Sequence, residues 1–387
     1  MRSKCLTGYR VAPRPEIMTR NAGTISGRIL IDAIKFPERL PGTSLRDWDS
    51  ILRLAKRANL IGRLAEGAHH QRVMNELPMQ VRTHLESARV LTSHQRQAIA
   101  WETRHIGQAL KSIGAPLILL KGAAYAIADL VAARGRLFGD VDVLMPEACL
   151  NQAEAALMMH GWASGHADPY DERYYRRWMH ELPPMAHRKR GTVIDVHHNI
   201  LPLTARNSPS ADLLLKASVP VPGTDFRVLS PCDMVIHSAT HLFHEGELQN
   251  GLRDLFDLDA LLNEFSGRQS DFWHELTDRA RTLGLAWPLH LALRYSKVIL
   301  GTEVPPRAYE SVTKAAKPGR VSLRLLDGMY LRGLQPDHPL CSNYSTGVSR
   351  AALYLRGHYL RMPIGLLAIH LGRKSIMRLF KNTSRSV

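Results

Sequence analysis

The length, composition and charge of the chain limit the classes of protein to which it can belong. Its 387 residues exceed the usual size of one hydrophobic core, so two or three structural units are expected. The four cysteines are scattered without a CxxC pair, which argues against a disulfide framework or a zinc knuckle. No run reaches the roughly 18 apolar residues of a membrane-spanning helix. We therefore expect a cytoplasmic protein, or one that rests on a membrane surface.

The net charge of +16 is concentrated at the two ends of the chain. Residues 1–30 hold six Lys or Arg and one acid, and residues 338–387 hold eight Lys or Arg and no acid. Only +3 remains for the 307 residues between them. A protein that grips a polynucleotide across its body should carry positive charge over that body. Sequence-specific nucleic-acid binding is therefore not expected.

The first part of the chain changes from irregular to helical. Residues 1–43 are rich in proline and predict a basic, irregular lead, within which Met18 offers an alternative start. From Ser44, a suitable N-cap, apolar residues recur at spacings of three and four, which is typical of a helix. A longer helical pattern follows over Met79–Ile113. These features predict a helical N-terminal arm over residues 44–113.

Between residues 114 and 230 the pattern is that of short apolar strands alternating with helices. The predicted strands are residues 117–120, a stretch that contains Asp140 and Asp142 and ends at Pro146, and residues 192–197. The predicted helices are residues 123–133 and 147–160. This order indicates a small α/β core with a mixed sheet.

The pattern becomes helical again from Pro231. It predicts helices through about Phe265 and then over residues 272–300, with further helices after the break at Gly301. Residues 231–387 are therefore expected to form a helical C-terminal domain with a basic tail. The predicted fold class is α+β, with the α/β core placed between two helical units.

Asp140 and Asp142 alternate with valines in the second predicted strand. A period of two places both carboxylates on one face, about 6.6–6.8 Å apart along the chain. Asp195 is a third carboxylate, centred in another apolar strand, where a buried acid needs a partner. Like charges on one face repel unless a hard divalent cation or another positive group neutralises them. An amide at position 142 is therefore expected to relieve repulsion in the metal-free protein.

Lys121-Gly122 follows the first strand, about 18 residues before the acids. A glycine there lets a phosphate approach the backbone, and the following helix offers free N–H groups. An ordinary strand–helix turn would have the same residues, and DxD alone also occurs at strand ends with solvated acids.

In combination these features resemble the DNA polymerase beta-like nucleotidyltransferase superfamily, and more closely the uncharacterised nucleotidyltransferase family found in bacteria. The resemblance covers roughly residues 45–265. The motifs that carry it are Leu120-Lys121-Gly122, Arg136, Gly139-Asp140-Val141-Asp142-Val143-Leu144, Ile194-Asp195-Val196-His197, the pair His237 and His241, and Arg253-Asp254 with Asp257.

The resemblance implies two-metal nucleotidyl transfer from an NTP to an unidentified hydroxyl acceptor, with release of pyrophosphate. Asp140, Asp142 and Asp195 would be the catalytic, Mg²⁺-binding residues, converging on metal ions about 3.5–4 Å apart. The implied nucleotide-binding residues are Lys121, Gly122, Ala123 and Arg136. The wider superfamily has a turn serine that contacts the triphosphate, whereas this chain has Gly122-Ala123-Ala124.

Several alternatives stay open at this point. A catalytically degenerate binding or scaffold protein is one, and a membrane-apposed accessory of an envelope polysaccharide pathway is another. His237, His241 and His244 share one helix face and could bind a metal, or they could be buried polar residues that join the helical domain to the core. The cationic, partly apolar segment at residues 363–381 could associate weakly with anionic membranes or pack on the protein.

Overall fold

The computed structural model describes residues 25–164 and 178–362. The predictions for the basic lead before residue 25 and for the membrane-binding tail at residues 363–381 lie outside the described residues.

The described residues form a mixed sheet of seven strands. In chain order they are β1 (Ile118–Leu119), β2 (Val141–Leu144), β3 (Trp162–Ser164), β4 (Met185–His187), β5 (Val193–His197), β6 (Val219–Pro220) and β7 (Arg227–Val228). The spatial order is β3-β4-β5-β2-β1-β7-β6. Strand β2 runs parallel to β5 and antiparallel to β1, so the two strands that carry the predicted acids are neighbours at the centre of the sheet.

The predicted strands at β1, β2 and β5 are confirmed, and four further strands were not predicted. Strands β3, β4, β6 and β7 have only two or three residues each. Such short segments carry too few alternating positions to give a period-two signal.

Within the described residues, four α-helices precede the sheet. They are α1 (Ile25–Lys35), α2 (Leu45–Arg57), α3 (Ile61–His70) and α4 (Met79–Leu110). Ser44 caps α2 by accepting a hydrogen bond from the Asp47 N–H, as predicted. The prediction of an irregular lead is wrong from residue 25, where α1 buries Leu30 and Ile31 against the core. The prolines that flank α1 concealed its short apolar pattern.

Of the α-helices that lie wholly within the described residues, three belong to the sheet region and seven follow it. The first three are α5 (Lys121–Ile127), α6 (Leu150–Met159) and α7 (Ala211–Ala217). The others are α8 (Pro231–His244), α9 (Gly251–Arg268), α10 (Phe272–Thr282), α11 (Ala286–Tyr295), α12 (Pro306–Ala316), α13 (Arg320–Gly333) and α14 (Tyr344–Arg361). Across residues 25–164 and 178–362, no helix has the length and apolar character to cross a bilayer. The α+β fold class is confirmed, while the domain limits stay predictions.

A buried ion-pair cluster joins the arm, the sheet region and the C-terminal helices. Asp257 of α9 lies 2.6 Å from Nη2 of Arg63 on α3 and 2.8 Å from Nε of Arg136, which precedes β2. Asp257 is 1% exposed. Arg253, which lies one helical turn before Asp257, pairs with its neighbour Asp254.

Candidate active site

The three predicted acids converge on one point at the centre of the sheet. Asp142 of β2 and Asp195 of β5 are directly opposite in the parallel register, so both side chains project from the same face. Asp140 immediately precedes β2. Each acid offers one carboxylate oxygen within 4.8 Å of the others. The predicted convergence is therefore confirmed, while the roles of the three acids remain to be tested.

Asp142 is already neutralised by two groups of the protein. Lys121 donates from Nζ to Asp142 Oδ1 over 3.1 Å, and His197 Nε2 lies 3.0 Å from the same oxygen. Burial alone would raise the pKa of Asp142, but Lys121 and His197 hold it well below its usual range. The expectation that an amide at position 142 would relieve repulsion is therefore wrong. The repulsion that the sequence implied is offset at Asp142 by a lysine and a histidine.

Lys121 is the first residue of α5 and adopts a left-handed backbone conformation, with φ of 43°. Such a conformation is unfavourable for a residue with a side chain and is often found at functional sites. A hydrogen bond from the Leu120 N–H to the Asp142 carbonyl ties this turn to β2. Burial lowers the pKa of Lys121, but Asp142 and Glu245 together raise it, so this side chain remains a cation.

The other predicted nucleotide-binding residues surround the same turn. A Cβ at Gly122 would lie 2.5 Å from Nη1 of Arg136, so the guanidinium occupies the space that the glycine leaves. Ala123 is buried in the first turn of α5. Because Arg136 is held by Asp257 behind the turn, it supports the turn from the protein side. Its predicted part in nucleotide binding stays a prediction.

Asp195 lacks the partners that Asp142 has. Within the described part of the chain, its buried Oδ1 has no hydrogen-bond partner. Burial, with added repulsion from Asp142 and Glu181, raises the pKa of Asp195 to about 7. An unpartnered carboxylate oxygen that faces two further carboxylates is a suitable ligand for a hard divalent cation such as Mg²⁺.

His197 continues the site on the same face of β5 as Asp195, two residues earlier. Its Nδ1 lies 3.1 Å from Glu181 Oε2, and the His180 ring is 5.2 Å from the His197 ring. The sequence analysis missed Glu181 and His180. The only available signal was the His-Glu dipeptide itself, since Glu181 meets β5 through a single antiparallel bridge to His197.

The histidines of α8 do not form a metal cluster with one another. Among the described residues, the two groups with metal-ligand geometry are the three acids and the set His180, Glu181 and His197. His241 instead pairs with Glu245 over 3.0 Å. His237 is buried and its pKa is lowered well below the usual value, first by burial and then by the nearby Lys121. This part of α8 therefore lies beside Lys121 and the acids.

A central pair of parallel strands that brings three acids together beside a strand–turn–helix defines a nucleotidyltransferase-type core. The profile of the uncharacterised nucleotidyltransferase family matches residues 44–301, two thirds of the chain. The chain belongs to this family of enzymes, which confirms the resemblance seen in the sequence. Neither the curated proteins nor the solved structures contain a match to it.

Proposed function

We propose that this protein is a metal-dependent nucleotidyltransferase that moves a nucleoside monophosphate from an NTP to a hydroxyl group and releases pyrophosphate. The observation that carries the proposal is the convergence of Asp140, Asp142 and Asp195 within 4.8 Å, with Asp195 Oδ1 buried and without a partner in the described structure. Family membership supports an NTP as the co-substrate.

The carboxylates fit the Mg²⁺ ions that this chemistry uses. Asp140 and Asp142 would hold the ion on the triphosphate, and Asp195 would join a second ion. When bound, Mg²⁺ would neutralise phosphate charge and lower the pKa of the acceptor hydroxyl. Asp195 is also placed to help remove the proton of that hydroxyl.

Lys121 is the cation best placed to bind the phosphates. Its side chain is 22% exposed, and its ammonium group needs only to exchange the Asp142 oxygen for a phosphate oxygen. Gly122 and Ala123 would add first-turn N–H groups, which lack partners within the helix. This arrangement would replace the hydroxyl that is missing from Gly122-Ala123-Ala124.

Pyrophosphate release tests the proposal. The purified chain is incubated with Mg²⁺ and each NTP, alone and with pooled saccharides, small hydroxyl compounds or protein acceptors. We expect pyrophosphate release with transfer of the α-phosphate label, and loss of both in Asp195→Asn. A folded wild-type protein that binds NTP without releasing pyrophosphate under any of these conditions would favour the alternative.

The alternative is a degenerate binding or scaffold protein that keeps the fold. The ion pair between Lys121 and Asp142 favours it, because an ammonium group can replace a metal ion as the neutralising charge. The absence of a hydroxyl group from the Gly122-Ala123-Ala124 turn also favours a degenerate protein. If the protein is such a scaffold, the Lys121→Met variant should bind NTP as tightly as the wild type does. If the protein is an enzyme, the same variant should bind NTP more weakly than the wild type.

The acceptor is proposed to be non-polymeric or a protein, since the chain between the basic ends carries little net charge. We also propose a cytoplasmic location, with weak association of the C-terminal tail with anionic membranes. Co-sedimentation with anionic liposomes at low and high salt tests the membrane contact.

The affinity for Mg²⁺ should rise with pH. A proton on Asp195, whose pKa is about 7, competes with the ion, so binding should strengthen by about tenfold between pH 6 and pH 8. Calorimetric titration with Mg²⁺ at several pH values measures this. In Asp195→Asn the residual affinity should be low and nearly independent of pH over this range. An equal pH dependence in that variant would assign the proton to another group.

A further inference from the structure

A second group of potential metal ligands lies on the other side of His197 from the acids. His180, Glu181 and His197 each offer one donor atom, and these atoms lie within 4.8 Å of one another. Main-chain hydrogen bonds fix their separation. The His198 N–H donates to the His180 carbonyl and the Leu182 N–H donates to the Val196 carbonyl, both over 2.8 Å. The segment that carries His180 and Glu181 is thus attached to β5.

The orientation of His197 leaves acceptor atoms facing one another. In the neutral tautomer that donates Nε2–H to Asp142 Oδ1 over 3.0 Å, Nδ1 presents a lone pair, and this is the form of His197 that can bind a metal ion. His197 Nδ1 lies 3.1 Å from Glu181 Oε2, yet these two atoms are not aligned for a hydrogen bond. The buried Nδ1 of His180 also has no hydrogen-bond partner among the described residues. A bound cation accounts for all three acceptors at once.

We propose that His180, Glu181 and His197 bind one divalent transition-metal ion of the zinc class, with the fourth position open to water. Two imidazoles and a carboxylate are a common ligand set for Zn²⁺, whereas Mg²⁺ prefers oxygen donors. Ligand atoms about 2.0–2.1 Å from a tetrahedral ion lie about 3.4 Å apart, close to the distance between His197 Nδ1 and Glu181.

The site would also control the candidate active site. Metal-bound histidines usually donate their other ring N–H to a carboxylate, which fixes the tautomer and the ring orientation. Here that carboxylate is Asp142. The ion would therefore hold His197 as a donor to Asp142 and keep the other Asp142 oxygen free for the acid cluster. This coupling rests on the proposed function, but the metal site itself does not.

The test is Co²⁺ binding by the metal-stripped full-length protein in excess Mg²⁺, followed by visible absorption and by displacement with Zn²⁺. We expect one equivalent of Co²⁺ with a tetrahedral spectrum. His180→Gln and Glu181→Gln should each weaken binding by about tenfold or more. His198→Gln is the matched control, since His198 is the buried neighbour of His197 outside the ligand group, and it should bind normally.

The Asp195→Asn variant distinguishes the acid cluster from the proposed site at His180, Glu181 and His197. It should bind Co²⁺ with the same spectrum as the wild type. The proposal would be overturned if Co²⁺ binding were lost in Asp195→Asn but kept in His180→Gln, since the ion would then occupy the acid cluster. An absence of stoichiometric Co²⁺ and Zn²⁺ binding by folded protein, shown by circular dichroism, would also overturn it. These readouts do not require turnover, so a failure of the proposed enzyme activity would leave this result standing.

Discussion

Replacing Asp195 with Asn should lower nucleotide turnover by about 10²–10⁴-fold while making the metal-free protein more stable at pH 8. The activity falls because Asn cannot accept the acceptor proton and is a weaker metal ligand. The stability rises because the buried carboxylate has no hydrogen-bond partner on Oδ1 in the described structure and is repelled by Asp142 and Glu181.

The difference between the pKa of Asp195 in the folded and unfolded states determines whether the substitution stabilises or destabilises the protein. The pKa of Asp195 is about 7 in the folded protein and about 3.9 in an unfolded chain. The folded state therefore binds the proton more tightly, and wild-type stability falls as pH rises from about 4 to about 7. The Asp195→Asn variant avoids that loss, which we place at about 1–3 kcal/mol for a partly exposed group. Thermal melting should separate the two proteins at pH 8 and bring them together near pH 4.

Asp142→Asn is the matched variant and should change stability in the opposite direction. It should also abolish turnover, but it removes the carboxylate that neutralises Lys121 and accepts from His197. Loss of one partner of a largely buried pair should cost about 2–4 kcal/mol. Melting in the absence of Mg²⁺ measures both variants. If Asp195→Asn melted below the wild type at pH 8, Asp195 would be a structural acid with a partner in solution.

The acid cluster could be predicted because its signal is local. Asp140 and Asp142 alternate with buried valines, and Asp195 lies between Ile194 and Val196. The alternation within each strand therefore shows that its acids lie on the face opposite the apolar side chains. The sequence also shows which strands are apolar enough to be central. The convergence of the three acids was implied by the family resemblance, whereas the parallel register that places Asp142 opposite Asp195 is visible only in the structure.

The rest of the site depends on contacts between residues distant in sequence. Glu181 reaches His197 through one isolated bridge, and no periodic pattern marks it. Lys121 was assigned to phosphate, but its ion pair with Asp142 joins residues 21 positions apart and requires an unusual backbone angle. Helix α1 was missed because flanking prolines outweighed a short apolar face. These features depend on specific charge pairs and on tertiary packing, and neither can be predicted from the periodicity of a single sequence.

Asp257→Asn should destabilise the protein by about 3–5 kcal/mol, the cost of leaving buried cations without their counterion. Asp257 forms ion pairs with both Arg63 and Arg136, whose side chains are 13% and 10% exposed. Arginines remain protonated, so neither can relieve the loss by giving up its charge. Denaturant titration measures the free energy of unfolding. Asp49→Asn is the control, since Asp49 pairs with Arg53 on the protein surface, where both side chains are 62% exposed, and should cost about 1 kcal/mol or less.

The same variant should also disturb the candidate active site from a distance. Arg136 lies against Gly122, so a guanidinium released from Asp257 no longer supports the turn that carries Lys121. We therefore expect a raised KM for NTP in whatever fraction of Asp257→Asn remains folded. Replacing the whole cluster at once, with Arg63→Met, Arg136→Met and Asp257→Leu, should restore most of the stability, because the unpaired charges are gone. The raised KM should persist in that triple variant. A triple variant as unstable as Asp257→Asn would show that packing of the arginine stems, rather than charge pairing, holds the three units together.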